Sequence, residues 1–187
     1  MKCCPAPLLT VLMTALLCMA AAANADQNDP RLDDLFQKLK AADNLTQTAQ
    51  VETAIWQIWI EHDNAEYADL MRTGIRQMNM NALPAALATF DRLVELAPGF
   101  AEAWNKRATI HWLLQDYAAS EADITRTLAL EPFHFGALSG LGLVYMGQQK
   151  FEQARNALHN ALEVNPNMPA VKQNLDAING YLRGNSI

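Results

Sequence analysis

A 34-residue period runs through most of the chain. Pro98, Pro132 and Pro166 are spaced evenly by this period, and each ends an apolar run such as "LALEP". Other columns share the period: a large apolar one and a small one. The large apolar column consists of the equivalent residues Leu70, Trp104 and Leu138, and the small column consists of Gly74, Ala108 and Gly142. A fixed period of this length predicts a stack of similar units that bury a continuous core only together.

Each period contains two predicted helices. Apolar residues recur at helical spacing in six segments: 67–80, 101–114, 135–148, 84–97, 118–131 and 152–165. The small column lets paired helices approach closely, while large columns fill the space beside them. Proline ends each second helix because it cannot continue the hydrogen-bond ladder. Asn81 and Asp116 fall in the connections, where turn and capping residues are expected.

These columns resemble the signature of the tetratricopeptide repeat (TPR) family. That signature has Trp or Leu, then Gly or Ala, an aromatic residue opening the second helix, and then Ala, Phe and Pro at fixed offsets. The second period supplies Trp104, Ala108, Tyr117, Ser120 and Pro132, and the third supplies Leu138, Leu141, Gly142, Tyr145, Phe151, Ala154 and Pro166. Gln77 and Ile124 depart from it, since the family prefers an aromatic residue and Phe there.

The resemblance implies an all-α fold, a solenoid of helix-turn-helix repeats at 67–100, 101–134 and 135–166. Residues 26–66 form either a degenerate N-terminal repeat, as the register of Trp56 with Phe90 suggests, or an unrelated helical hairpin. Residues 167–187 are predicted to be a capping helix and tail. An end repeat needs such a lid because its outer apolar face would otherwise meet water.

Residues 1–25 have the features of an export signal. Lys2 precedes an uncharged apolar run over 8–23, and Ala23-Asn24-Ala25 has the small-x-small form cut by signal peptidase. A retained anchor is the alternative, although the run is short for a spanning helix. The leader looks bacterial and predicts a periplasmic protein. We expect no membrane insertion after its removal.

Removal of residues 1–25 would leave a chain with little scope for metal or thiol chemistry. Cys3, Cys4 and Cys18 all lie in the leader, which excludes disulfides and thiol catalysis from the remainder. The remaining 13 basic and 20 acidic side chains give a net charge of −7, which argues against nucleic acid as a partner. The four histidines are scattered without ligand spacing. We therefore expect no cofactor, no metal site and no enzyme activity.

A groove is the expected site of function, because stacked helix pairs create a concave face lined by the first helices. One stripe at i, i+4, i+7 remains on these helices after the core columns are removed. Its members are Met71, Ile75, Met78, Asn105, Thr109, Trp112, Ser139, Leu143 and Met146. Two interpretations are open: flanking helices cover the stripe, or it is an adaptable groove for an apolar or amphipathic segment.

The family resemblance implies a protein or peptide partner, held by a non-catalytic adaptor in envelope assembly or maintenance. Some family members hold a terminal carboxylate with lysine and asparagine on successive first helices. Met71 and Ile75 stand where the first repeat would need those residues, so this activity is not carried over. The rival hypotheses are a self-associating structural protein that uses a solenoid end and, third, an enzyme or small-ligand binder. Homo-oligomerisation stays open.

Overall fold

The structure is a computed structural model that describes residues 27–184. Within this range the chain forms nine α-helices and no strand. Their bounds are α1 Arg31–Ala41, α2 Leu45–Ile60, α3 Ala65–Asn79, α4 Leu83–Leu96, α5 Ala101–Leu113, α6 Tyr117–Leu130, α7 Phe135–Gly147, α8 Phe151–Val164 and α9 Pro169–Gly184. Not one of the helices described in this range has both the length and the apolar character needed to cross a membrane. The predicted leader lies outside the described residues.

The three predicted repeats are the helix pairs α3–α4, α5–α6 and α7–α8. Their second helices begin at Leu83, Tyr117 and Phe151, which follow one another at the period of the sequence. Successive pairs also stack, because α4 packs against α5 and α6 packs against α7. The all-α repeat architecture predicted from the period is confirmed.

The turn inside each repeat has the same backbone shape. Asn81, Gln115 and Gln149 hold φ angles of 56°, 62° and 59°, in the left-handed region that few residues with a Cβ adopt. Each of them donates its N–H to the carbonyl three residues earlier, at 2.9, 2.9 and 3.0 Å. Asp116 caps α6 as predicted, since its Oδ1 accepts a hydrogen bond from the Ala119 N–H at 3.1 Å.

The small column marks points of close helix approach. A Cβ built on Gly74 would lie 2.5 Å from two ring atoms of Phe90, and one built on Gly142 would lie 2.3 Å from a Leu158 methyl group. Both glycines therefore face the large apolar residue of the second helix in their own repeat. Interiors packed this tightly leave no room for an added methyl group.

Arg107 on α5 ties the first two repeats together. Its Nε and Nη2 donate to both carboxylate oxygens of Asp123 on α6 at 2.8 and 2.7 Å, and Nη1 donates to Asp91 on α4 at 3.0 Å. Asp123 is buried. The hydrogen bonds to Asp123 raise the pKa of Arg107, against the opposing effect of its burial. A fork of this kind fixes the angle between helices as well as supplying energy.

The helical pair predicted for residues 26–66 is present as α1 and α2, but it does not stack as a further repeat. Among the described helices α2 packs against α5 and α1 against α8, and no comparable packing joins α2 to α3. The reason lies in its apolar face, where the fully buried Leu39 and Trp59 share one core with Phe135 and Leu158. The hairpin folds back over the solenoid instead of extending it.

The C-terminal helix α9 occupies the place expected of a lid. It packs against α8, and its Val171 and Ile178 are buried in the same core as Leu158. The outer apolar face of the last repeat is thereby covered within the described residues.

Candidate functional site

Two of the nine residues predicted to line the concave groove, Met71 and Asn105, are buried. Met71 is 0% exposed and belongs to the core with Phe90, so its prediction as a groove residue is corrected. Asn105 is 7% exposed and donates a hydrogen bond to Glu102 at 2.9 Å. Thr109 is exposed, and the other six residues are half-buried: Ile75, Met78, Trp112, Ser139, Leu143 and Met146.

Helix α2 covers one part of the groove, the part next to the N-terminal ends of α5 and α7. The Trp59 ring stacks on His134, with centroids 3.9 Å apart and planes 12° apart. Trp56 meets the edges of His134 and Phe135 at 5.4 and 5.5 Å. A Cβ on Gly136 would lie 2.6 Å from the Trp56 ring, so this glycine makes room for the tryptophan. Helix α2 therefore covers the start of α7, next to the predicted stripe, through residues that do not belong to the stripe.

A buried polar cluster forms the floor beneath these two tryptophans. His134 Nε2 lies 2.8 Å from Glu102 Oε2, and both side chains are fully buried. His134 Nδ1 accepts the Ala137 N–H at 3.0 Å, which caps α7. Because that nitrogen accepts, Nε2 carries the proton and donates to Glu102. Lys106 closes the cluster with its Nζ 2.7 Å from Glu102 Oε1.

The cluster keeps the Glu102 carboxylate ionised despite its burial. Burial alone favours the neutral acid and raises its pKa, but the charge of Lys106 and the hydrogen bond from His134 outweigh that effect. The pKa of Glu102 falls from 4.5 to about 2. Its charge is therefore a fixed part of the groove floor at neutral pH.

Glu131, in the connection before α7, behaves in the opposite way. Burial raises the pKa of its carboxyl, and the hydrogen bond from the Phe133 N–H at 2.9 Å opposes this only in part. The two buried glutamates differ because only Glu102 has a cation in direct contact.

The tip of the α1–α2 hairpin is held at the far end of the solenoid. Asn165 donates to the Glu52 carboxylate, and Asn167 Nδ2 donates to the Ala42 carbonyl at 2.7 Å. Both asparagines belong to the connection between α8 and α9. The hairpin thus runs beside the connections between repeats, from the start of α5 to the start of α9.

Another part of the groove is open, whereas Ile75, Met78 and Met146 pack against the cores of the solenoid. A pocket of about 200 Å³ lies between α5 and α7 and is lined in part by Thr109 and Trp112. A second pocket of about 410 Å³ lies between α2, α7 and α9. Ser139 and Leu143 line both, so the two pockets adjoin on α7, and we refer to them together as the channel. Thr109, Trp112, Ser139 and Leu143 of the predicted stripe therefore line pockets at the surface.

The channel is mainly apolar, and its hydroxyls are already engaged. Thr109 donates to the Asn105 carbonyl and Ser139 to the Gly136 carbonyl, at 3.0 and 2.9 Å. Specific recognition in such a channel comes from the shape of apolar side chains, with few polar contacts. In residues 27–184 no group of three or more metal-ligating side chains comes together.

Comparison with known proteins decides the family. Two models of the tetratricopeptide repeat match residues 72–135 and 135–168. A TPR repeat-containing protein of Rhizobium etli is 30% identical over 155 residues, which is 83% of this chain and 76% of that protein. The chain belongs to the tetratricopeptide repeat family.

Solved TPR structures show the same fold. The first TPR domain of Spaghetti (RPAP3), bound to the HSP90 peptide SRMEEVD, has a TM-score of 0.63 at 22% identity and covers 65% of this chain and 96% of its own. A double mutant of MamA RS-1 has a TM-score of 0.59 at 20% identity, over 82% and 85% of the two chains.

The Glu102–His134 pair is absent from the sequence-based predictions. The sequence shows His134 only as one of four scattered histidines, and nothing in it draws attention to Glu102. One signal was available: a polar side chain directly before a predicted first helix is a capping candidate, and His134 is such a residue. The carboxylate partner, 32 residues away, has no comparable local signal.

Proposed function

We propose that this TPR protein is a non-catalytic adaptor that binds an apolar segment of a partner protein in the channel beside α2. The observation that carries the proposal is that two mainly apolar pockets adjoin at Ser139 and Leu143. Their linings include residues of α5, α7 and α9, so a segment bound across both pockets would contact all three helices. A concave, mostly apolar and preformed surface is the usual form of a binding site.

Similar proteins support this general role. The Spaghetti domain that shares this fold is described as bound to an HSP90 peptide, and a TPR domain of yeast Sti1 is described in a complex with an Hsp70 segment. The guest proposed for this chain differs in chemistry. Met71 is buried and Ile75 is apolar where a carboxylate-binding groove would need polar groups, so we propose an apolar guest rather than an acidic tail.

We further propose that the adaptor works in the periplasm or cell envelope after removal of residues 1–25. The support is the arrangement of Lys2, the apolar run over 8–23 and the small residues that precede Asp26. The test is fractionation of producing cells with mass measurement of the recovered chain. A periplasmic chain beginning at Asp26 would agree with the proposal, and a full-length cytoplasmic chain would refute it.

The binding test uses two matched threonines. Thr109 lines the channel, whereas Thr125 is exposed on α6 outside both pockets. Each hydroxyl donates to the carbonyl four residues earlier, at 3.0 and 2.8 Å, so the two sites are locally alike. Thr109→Arg would fill the channel, and Thr125→Arg would add the same charge elsewhere.

A photocrosslinking residue at Leu143 would first identify the partner in an envelope fraction, and the purified partner would then be titrated. We expect Thr109→Arg to weaken binding at least tenfold and Thr125→Arg to leave it within twofold. Equal affinities for the two variants would show that the partner binds elsewhere, and the adaptor proposal for this channel would fall.

A further inference from the structure

Helix α2 fills part of the groove with a segment of the chain itself, and its packing shows what kind of segment the groove accepts. Trp56 and Trp59 contact the solenoid at His134 and Phe135, and Ile55 and Ile58 beside them are buried in the core that α1 and α2 share with it. Trp56 and Trp59 are three positions apart and therefore lie on one face of the helix. The seat beneath them consists of the His134 ring and the space above Gly136. The seat is shaped for two aromatic side chains on one helix.

We propose that α2 is a displaceable internal occupant of the groove, and that the partner presents an amphipathic helix with two aromatic residues three positions apart. This rests on the proposed function, and it adds the chemistry of the guest and a competitor that regulates its access. The partner replaces Trp56 and Trp59 on the seat and extends into the open channel.

The first support is the way in which α2 is attached. The pair α1–α2 is not part of the repeat stack, and in the described residues it packs on α5 and α8 rather than along α3, its neighbour in sequence. Residues 61–64 connect it to the first repeat, and Ile60 at the end of α2 packs against the core that contains Met71 and Phe90. The pair α1–α2 can leave without separating any two of the three stacked repeats. Opening of α2 exposes the buried Ile55 and Trp59 but leaves the stacked repeats paired, so it is a local opening rather than global unfolding.

The second support is that none of the contacts of the Glu102 carboxylate comes from α2, whereas the other buried carboxylate, Glu131, does interact with Trp59. Glu102 contacts Asn105, Lys106 and His134, and all four residues belong to α5 or to the connection before α7. Departure of α2 therefore breaks none of these contacts. If the Glu102 carboxylate depended on α2 for a partner, it would oppose the departure of α2, because an unpaired buried charge is strongly unfavourable.

The third support is an entry point. Gly136 lies under the Trp56 ring and also lines the open pocket with Thr109 and Trp112. Lys106 lies over Trp56, 4.8 Å from the ring centroid, and it would meet an incoming aromatic side chain in the same way. A guest that binds the open pocket first would reach the edge of the seat before α2 leaves.

Tethering sets the strength of the competition. A segment joined by a short connection acts at an effective concentration on the order of millimolar. A free peptide with the same contacts binds only the fraction of molecules in which α2 is open, and its apparent affinity falls by that fraction. The natural partner overcomes this by its added contacts in the channel.

Hydrogen exchange of the purified protein is the first test. We expect amides of 45–60 to exchange at least tenfold faster than those of α5 and α8, through an opening that leaves the repeats folded. Equal protection of α2, α5 and α8 would show that α2 opens only on global unfolding. That result would overturn the proposal and would leave the adaptor function of the channel intact.

Binding in trans is the second test. A fluorescent peptide of residues 45–60 would be titrated into wild type, into Trp56→Ala/Trp59→Ala and into Gln57→Ala. Gln57 is the control because it stands between the two tryptophans in the sequence and its side chain is exposed. We expect the double variant to bind at least tenfold more tightly than the other two proteins. A peptide carrying both alanines should not bind any of them. A folded double variant that fails to bind the native peptide would overturn the proposal.

A pair of glycines provides a variant in which α2 keeps its own sequence. Gly136→Ala would place a methyl group 2.6 Å from the Trp56 ring, whereas Gly140→Ala on the same helix would meet nothing closer than 3.6 Å. We expect Gly136→Ala to speed exchange of 45–60 at least tenfold and Gly140→Ala to leave it unchanged. Equal exchange in the two variants would overturn the assignment of this seat.

The two proposals fail in different ways. If Trp56→Ala/Trp59→Ala binds the peptide of residues 45–60 but Thr109→Arg leaves the affinity for the partner unchanged, the seat is confirmed and the adaptor role of the channel is refuted. If Thr109→Arg removes partner binding but α2 exchanges only with the core, the adaptor role stands and the displacement by a helix is refuted.

Discussion

Replacing Glu102 with glutamine should destabilise the protein at neutral pH by an amount that disappears in acid. The carboxyl is fully buried, and its pKa in the folded chain is about 2 against an ordinary value of 4.5. At about 1.36 kcal/mol per pH unit, this gap corresponds to about 3 kcal/mol of unfolding free energy at pH 7. The neutral amide keeps the shape of the side chain but loses its charge toward Lys106.

The direction follows from proton binding. Because the pKa of Glu102 is lower in the folded chain, the unfolded chain takes up the proton first as the pH falls below 4.5. The stabilisation is therefore fully present above that pH and is lost between 4.5 and about 2. At pH 3 roughly 1 kcal/mol should remain.

Urea unfolding of wild type and Glu102→Gln at several pH values between 7 and 3 measures this difference. Glu66→Gln is the matched control, since Glu66 pairs with Arg92 at 2.7 Å on the exposed surface. Such a pair contributes less than about 1 kcal/mol. A difference for Glu102→Gln that is equally large at pH 7 and pH 3 would contradict this explanation, because it would come from packing or hydrogen-bond geometry rather than from charge.

Three further predictions concern stability. Glu131→Gln should raise the melting temperature at pH 7 and not at pH 4. Burial raises the pKa of this carboxyl, so its ionised form destabilises the folded chain at pH 7, and protonation at pH 4 removes that penalty. Calorimetry at both pH values measures the difference. Gly142→Ala should lower the unfolding free energy by about 1–3 kcal/mol, because the added methyl group would overpack against Leu158. Gly180 faces open space, so Gly180→Ala should raise the unfolding free energy by up to about 1 kcal/mol. Urea titration measures both, and equal effects would contradict the close helix approach at Gly142. Arg107→Ala should cost about 3–5 kcal/mol because it leaves Asp123 buried without its main partner, and a loss below about 1 kcal/mol in the same titration would contradict this.

Several of these sites could be predicted from the sequence because their signals are local. The glycine at position 142 is a member of a small column, and its contact with Leu158 lies within one repeat. The groove position of Thr109, Leu143 and Ser139 follows from helical spacing alone. By contrast, Met71 holds the same kind of position in the first repeat, and the core around Phe90 buries it completely. Equal spacing does not give equal exposure, because the neighbours that cover a side chain differ from repeat to repeat.

The α1–α2 hairpin shows the limit most clearly. Trp56 stands one full period before Phe90, and this register predicts a repeat stacked before the first one. The structure instead places Trp56 against His134, 78 positions along the chain. A degenerate repeat and a folded-back hairpin have the same helices and similar apolar faces, so local pattern cannot separate them. The choice depends on which distant surface buries the two tryptophans.

The period, the helix pairs, the cap at Asp116 and the lid helix can all be read from the amino-acid sequence. Each of these depends on residues a few positions apart or on a repeated column, and the physical constraints of helix packing act on every copy alike. Three other features became visible only in the folded chain: α2 covers part of the groove, Glu102 meets His134, and an open channel remains beside them. These features depend on contacts between segments that are far apart in the chain. Because each contact is made only once in the fold, no repeated pattern in the sequence indicates it.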